Sequence, residues 1–334
     1  FFVAPDGNLN FVPFGALIDE QGNYTAERFE FHYLTSGRDI LRQWMSEPVA
    51  NGPVVVVANP TGSDLPGTEK EATLIASLFK GVIKMQGEIA TEARLLAHKR
   101  PRILHLAAHG SFGVDPRDLV SASGFITRGS RSMKLDNPML YSWIELAAPS
   151  EPGPSGALVK DDSGGMEDGR LTAYEVSGWD LRGTEVVTLS ACDTAQGTYQ
   201  QSEGILGLRR AFAIAGAQTQ VMSLWKVSDT ATAKLMESYY RRLLEGEGRS
   251  EAMRNTQLEM LRNPETRHPR DWAAFVVVGE WGPISDTSQA AARSEGPPPV
   301  RRPRGCQSAI GESPSSSVFV GLTVLALFRR RRRG

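Results

Sequence analysis

Two short segments end on side chains able to do chemistry. They are Arg102-Ile103-Leu104-His105-Leu106-Ala107-Ala108-His109-Gly110 and Glu185-Val186-Val187-Thr188-Leu189-Ser190-Ala191-Cys192-Asp193. In each, a run of aliphatic and β-branched residues stops at small residues and then presents one reactive group. An imidazole, which His109 supplies, is a side chain able to move a proton at ordinary pH. The Cys192 thiol is a strong nucleophile once it is a thiolate. Continuous apolar runs of this length suit strands buried on both faces of a parallel sheet. If the two strands are neighbours, His109 and Cys192 emerge together at the carboxyl edge of the sheet, where open α/β folds place their ligands. A thiol and an imidazole at such an edge point to a cysteine hydrolase.

The elements that must position this pair alternate along the chain. A hairpin-like start is expected from Phe1 to Leu17, with its turn at Asp6-Gly7, and a short helix from Asp39 to Trp44. Pro53 to Ala58 reads as a strand buried on both faces and ends in the loop Asn59-Pro60-Thr61-Gly62. A helix over Glu69–Phe79, a strand over Val82–Met85, a helix over Thr91–His98 and the His109 strand follow. This β-α-β-α-β alternation predicts right-handed crossovers and an α/β fold with a mostly parallel central sheet flanked by helices. From Phe112 to Gly169 the pattern breaks into Gly, Ser, Pro and Asp, with a hairpin expected near Leu119–Thr127 and a loop over Pro149–Gly169. Regular structure resumes with a short helix over Leu171–Val176, the Cys192 strand, a helix over Gly204–Ala215 and a strand over Thr219–Trp225. Helices over Asp229–Glu245 and Arg249–Arg262 precede a last strand, Ala274–Gly279.

Composition bounds the function classes. The 334 residues suffice for one large α/β domain with a tail, or for two modest domains. An apolar content of 40% and a charged content of 22% fit a folded core. The net charge of −1, with no basic stripe interleaved with aromatics, gives no reason to expect a nucleic-acid partner. Only two cysteines occur, Cys192 and Cys306, so neither a disulfide framework nor a cysteine-rich zinc site is expected. Thiol hydrolysis itself needs no metal or cofactor. The chain begins at Phe1, as expected of a segment from a longer protein.

After Trp281 the composition shifts. Residues 1–282 are expected to form the folded domain, 283–304 a disordered linker rich in Ser, Ala, Pro and Arg, and 305–334 a C-terminal tail. The tail holds Gly305-Cys306, a polar stretch, an apolar run from Val318 to Phe328, and arginines from Arg329 to Arg333. That run is shorter than the ~20 residues a helix needs to span a bilayer. The arginine cluster favours keeping this end on the cytoplasmic side. The tail reads as a weak membrane anchor or a sorting signal. Cys306 is either an incidental exposed thiol or a point of processing or lipid attachment.

With these residues in hand, the chain resembles the CHAT domain, a caspase-like module of the group that includes caspases, separase and gingipains. The resemblance runs from about Phe1 to Trp281. It rests on Pro5-Asp6-Gly7, Val12-Pro13-Phe14, Leu65-Pro66-Gly67, His109-Gly110 and Asn137-Pro138-Met139-Leu140. Asp168-Gly169-Arg170-Leu171-Thr172-Ala173 and a central block from Leu189 to Gly197 follow in order. It closes with Arg210-Ala211-Phe212, Ser223-Leu224-Trp225 and Trp272-Ala273-Ala274-Phe275. The tail is similar to the short C-terminal sorting signals of myxobacterial envelope proteins.

The resemblance implies a caspase-like sandwich and a catalytic dyad of His109 and Cys192, with the backbone N–H groups of Gly110 and Cys192 as oxyanion donors. It also implies tetratricopeptide repeats upstream and a protein substrate. Asp193 and Asp229 are candidates for the substrate pocket. The loop Trp225-Lys226-Val227-Ser228-Asp229 is similar to a separase segment whose acidic residues favour arginine, but Lys226 stands at one acidic position here. For Asp193 the alternative is a turn-forming Asp, for Asp229 the N-cap of the helix after it, and for Cys192 a buried small side chain. His105 is expected to be a satisfied core histidine.

Three functional readings follow: a cysteine endopeptidase cutting specific protein partners, a non-catalytic binding or scaffold module, and an acyl or thioester hydrolase using the same pair. Location follows the tail, as a membrane-associated and exported domain or, without an export signal, a cytoplasmic one.

Overall fold

The computed structural model describes residues 1–44, 48–62, 66–112, 139, 142–148, 159–160, 166–190 and 199–285. The main sheet takes its strands in chain order as β1 (Phe2–Val3), β2 (His32–Tyr33), β3 (Val54–Ala58), β4 (Ile83–Gln86) and β5 (Ile103–Ala107). Three further strands complete it: β11 (Val186–Leu189), β12 (Thr219–Ser223) and β13 (Phe275–Gly279). Their spatial order is β1-β2-β13-β12-β11-β5-β3-β4. Every pairing is parallel except that of β12 with β13.

The all-apolar strands are explained by cover on both faces. β3 and β5 are buried at every position, and so is β11. Side chains alternate between the two faces. Val54, Val56, Ile103, Val186 and Val221 pack against α3 (Pro66–Leu78), α7 (Asp229–Leu244) and α8 (Arg249–Arg262). Val55, Val57, Leu104, Leu106, Val187 and Leu189 face α4 (Glu92–Leu96), α5 (Ala173–Gly178) and α6 (Tyr199–Ala215). The expected α/β sandwich with a mostly parallel sheet between helices is therefore the observed architecture. A second, antiparallel sheet joins β6 (Gly110–Phe112), β7 (Ser142–Glu145) and β10 (Arg170–Thr172) in the order β10-β7-β6.

Several expectations need correction. The start of the chain is not a hairpin. β1 pairs in parallel with β2, some thirty residues away, and the turn residues open a 3-10 helix over Gly7–Phe11. The Asp6 carboxylate accepts from the Gly7 N–H, so the supposed hairpin turn is used as a helix cap. The expected helix over Leu171–Val176 begins later, because Leu171 and Thr172 pair with β7 first. Thr172 then caps α5, with Glu175 reaching back in a capping box. β7 itself was not expected, and β8 (Val159–Lys160) pairs with β9 (Met166–Glu167) inside the expected loop. The hairpin near Leu119–Thr127 lies outside the described residues, as do the tail and most of the linker. Packing continues past residue 282: Ile284 is buried and the Ser285 N–H donates to Glu185 at 2.5 Å.

Candidate active site

The site is built where β5 ends. On one side the Ser190 N–H donates to the Leu106 carbonyl at 2.9 Å, carrying the β5–β11 ladder one residue past β11. On the other, the Asn59 N–H donates to the Ala107 carbonyl at 3.2 Å. The end of β5 is thus held from both flanks, and one residue, Ala108, leads from it to His109. Beyond His109 the chain turns into β6, and the His109 carbonyl accepts from the Glu145 N–H at 2.7 Å. Ser111 Oγ donates to Glu145 Oε1 at 3.1 Å, tying β6 to β7 a second time.

The ladder fixes the direction of one backbone donor. His109 and Glu145 form a hydrogen-bonded pair, so Gly110 and Ile144, the next pair in register, are a non-hydrogen-bonded one. The Gly110 N–H therefore points away from β7, as an oxyanion donor requires. His109 is half-buried.

In the β5–β11 register, Leu106 sits opposite Leu189. His109 and Cys192 each lie three positions beyond that matched pair. Cys192 and Asp193 are outside the described residues, as is Cys306.

Asp229 is the first residue of α7, after the loop that follows β12, and is exposed. It is not the N-cap of its own helix. Ser228 holds that position, accepting from the Ala231 N–H at 3.3 Å. Asp229 Oδ2 instead accepts from the Gly67 N–H at 3.2 Å, at the first turn of α3. The approach is so close that a Cβ on Gly67 would come within 2.0 Å of Asp229 Cβ, which explains a glycine there. Asp229 thereby links the first turns of α7 and α3. Lys226 is exposed on the loop after β12, and Trp225 Nε1 donates to the Arg270 carbonyl at 3.0 Å.

Directly beneath the edge lies a polar group that the sequence reading left incomplete. His105 is fully buried, as expected of a core histidine. Its Nδ1 lies 3.0 Å from Tyr240 Oη, which lies 2.8 Å from Thr188 Oγ1. Its Nε2 lies 3.1 Å from Glu71 Oε1, and among the described residues neither atom makes a hydrogen bond. Glu71 Oε2 accepts from Ser190 Oγ at 3.2 Å. Glu71 and Tyr240 were missed. The available signal was a carboxylate one helical turn before Ile75, on the buried stripe of α3, with an unpartnered histidine in the facing strand.

A second buried carboxylate supports the block from Asp168 to Ala173. Glu92, the first residue of α4, is 4% exposed. Burial, helped by the negative charges of Glu175 and Asp168, raises its pKa to about 8 against the pull of the Gly169 and Arg170 backbone N–H groups. Among the described residues no cluster of His, Cys, Asp and Glu is arranged to hold a metal ion, and no helix is long and apolar enough to cross a membrane.

These features belong to one family. The CHAT domain family matches residues 1–280. The chain is a member of that family. Among curated proteins it is 26% identical over 294 residues to tetratricopeptide repeat protein 28 of Homo sapiens, covering 82% of this chain and 12% of that protein. The Mus musculus protein of the same name is 26% identical over 304 residues. The chain thus spans about 12% of the length of the curated relatives it matches. Among solved structures, separase in its Saccharomyces cerevisiae complex with securin has a TM-score of 0.48 at 13% identity, covering 84% of this chain and 15% of separase. The Arg-specific cysteine proteinase gingipain R has a TM-score of 0.45 at 9% identity, covering 81% of this chain and 58% of the proteinase.

Proposed function

We propose that the chain is a cysteine endopeptidase acting on protein substrates through Cys192 and His109. The observation that carries this reading is the pairing of β5 with β11. It makes the strand before His109 and the strand before Cys192 immediate neighbours, with both residues three positions past a matched pair. A span of three residues reaches at most about 11 Å, so neighbouring strand ends are compatible with an imidazole and a thiol that act together.

In this reaction the Cys192 sulfur attacks the scissile carbonyl carbon as His109 takes the thiol proton. Negative charge developing on the carbonyl oxygen is met by the Gly110 N–H, turned away from β7, and by the N–H of Cys192. Collapse of the tetrahedral intermediate breaks the C–N bond, and His109 returns the proton to the leaving amine. Water, deprotonated by His109, then attacks the thioester carbon, releasing the acid and restoring the thiol.

Asp229, joining the first turns of α7 and α3, and Asp193, next to the nucleophile, are our candidates for the pocket that receives the residue before the cleaved bond. The names of the curated relatives support an upstream tetratricopeptide region in the parent protein, which would present substrate or hold the domain inactive. We assign the segment from Gly305 to Arg333, with Cys306 as its processing point, to attachment of the domain at a membrane.

The test is proteome-wide N-terminal labelling of a native-source lysate containing the full-length protein or its Cys192→Ala variant. Discrete new termini present only with the unsubstituted protein support the peptidase. Identical termini in both samples favour the scaffold module.

A further inference from the structure

The face of the sheet that packs on α3 and α7 is apolar in β3 and at the start of β5 and β11, through Val54, Val56, Ile103 and Val186. Towards the carboxyl edge it changes character. Thr188 and Ser190 share this face by the two-residue strand period, and so does His105, opposite Thr188 in the register. Thr188 meets Tyr240 of α7, Tyr240 meets His105 of β5, His105 faces Glu71 of α3, and Glu71 accepts from Ser190. The chain of contacts leaves β11 at residue 188 and returns to it at residue 190, two residues before Cys192. Thr188, Tyr240 and His105 are fully buried and Glu71 is 2% exposed.

Such a ring is costly. A buried carboxylate carries a desolvation penalty of several kcal/mol unless it is well paired. Among the described residues Glu71 has no arginine or lysine against it, only the His105 imidazole at 3.1 Å and the Ser190 hydroxyl. An apolar layer of the same shape would be at least as stable. What the ring supplies instead is a fixed rotamer for Ser190 and a fixed path for the end of β11, tied to three separate elements. A nucleophile needs that kind of constraint, to within about 0.5 Å and 10–20°.

We infer that Glu71 is a positioning residue for Cys192, holding the end of β11 through Ser190 while His105 and Tyr240 hold Glu71. This rests on the peptidase reading for its catalytic consequence, but not for its structural one. No proton moves along the ring in this role.

The test uses the full chain and two variants, Ser190→Ala and Glu71→Gln. The first removes only the last link, and it covers the case in which the second fails to fold. Amide hydrogen exchange is measured over residues 189–198 and, as a reference, over β3 and β5. Steady-state kinetics are measured on a peptide carrying a cleavage site identified by terminal labelling. The expected result is exchange about tenfold faster at 189–198 with β3 and β5 unchanged, and kcat lowered about tenfold with KM within about twofold. Unchanged exchange at 189–198 in both variants overturns the inference. So does an equal rise across β3 and β5, which marks a general packing role, or an unchanged kcat in an active enzyme. If the unsubstituted protein cleaves nothing while the variants still loosen 189–198, the peptidase reading fails and the anchoring stands.

Discussion

A buried carboxylate sits at each end of the ladder that β5 and β11 share, Glu185 just before β11 and Glu71 on α3, and the two are treated differently. At the amino end, Glu185 accepts from Arg102 Nε at 2.7 Å and from the Ser285 N–H at 2.5 Å, with Arg249 Nη2 at 3.5 Å. Both of its oxygens are engaged, and its cationic partners keep their charge at any ordinary pH. Arg249, itself fully buried, reaches on to Glu280 and Gln218, so the cluster joins α8, β12 and the chain after β13. At the carboxyl end, the described partners of Glu71 are a hydroxyl and an imidazole. The amino end is a lock that closes the domain. The carboxyl end gives up pairing quality to control where the strand stops, and that is the end facing the chemistry.

Substitutions should separate the two ends. The largest effect is expected from His109→Ala, which removes the proton carrier and lowers the cleavage rate by about 10²–10⁴, read as loss of the labelled termini. Next, Arg249→Met leaves Glu185 and Glu280 short of a partner and should lower the unfolding free energy by about 3 kcal/mol in denaturant titration, with turnover per folded molecule unchanged. A fall in turnover there would erase the contrast between the ends.

Glu92 gives a pH signature of intermediate size. Its folded pKa, about 8, lies above the ordinary 4.5, so the folded state holds a proton that the unfolded state has released across that window. Its contribution is complete below pH 4.5 and is lost as pH rises towards 8. Glu92→Gln should therefore flatten the decline in stability by up to about 1.4 kcal/mol per pH unit, checked by chemical unfolding at several pH values. The smallest effect is expected from Asp229→Ala. It removes a bond to the first turn of α3 and should cost about 0.5–1 kcal/mol, while shifting residue preference at the cleaved bond if Asp229 lines the pocket.

Much of the sheet was legible in the sequence because aliphatic runs such as Pro53–Ala58 and Arg102–Ala107 admit few other roles, and the intervening helices carry a clear period. The position of His109 just past the end of β5 was legible for the same reason. The errors came where a local signal serves a distant partner. Asp6-Gly7 has the chemistry of a turn but caps a 3-10 helix, and β1 finds its partner only at His32–Tyr33. Asp229 looks like a cap for the helix it begins, yet it bonds Gly67, which is 162 residues away in sequence. The Glu71–His105 contact joins a helix and a strand through three-dimensional packing alone, so each residue looked incomplete by itself.

The central claim is that His109 and Cys192 act on one another, and it can be measured without knowing a substrate. In a Cys306→Ser background Cys192 is the only thiol, and its alkylation rate by iodoacetamide can be followed from pH 5 to 10 in the presence and absence of His109. A dyad predicts a thiolate forming below the free-cysteine value of about 8.5, with His109→Ala moving that midpoint up and slowing alkylation at pH 7 about tenfold. Superimposable profiles for the two proteins would contradict the dyad and, with it, the peptidase.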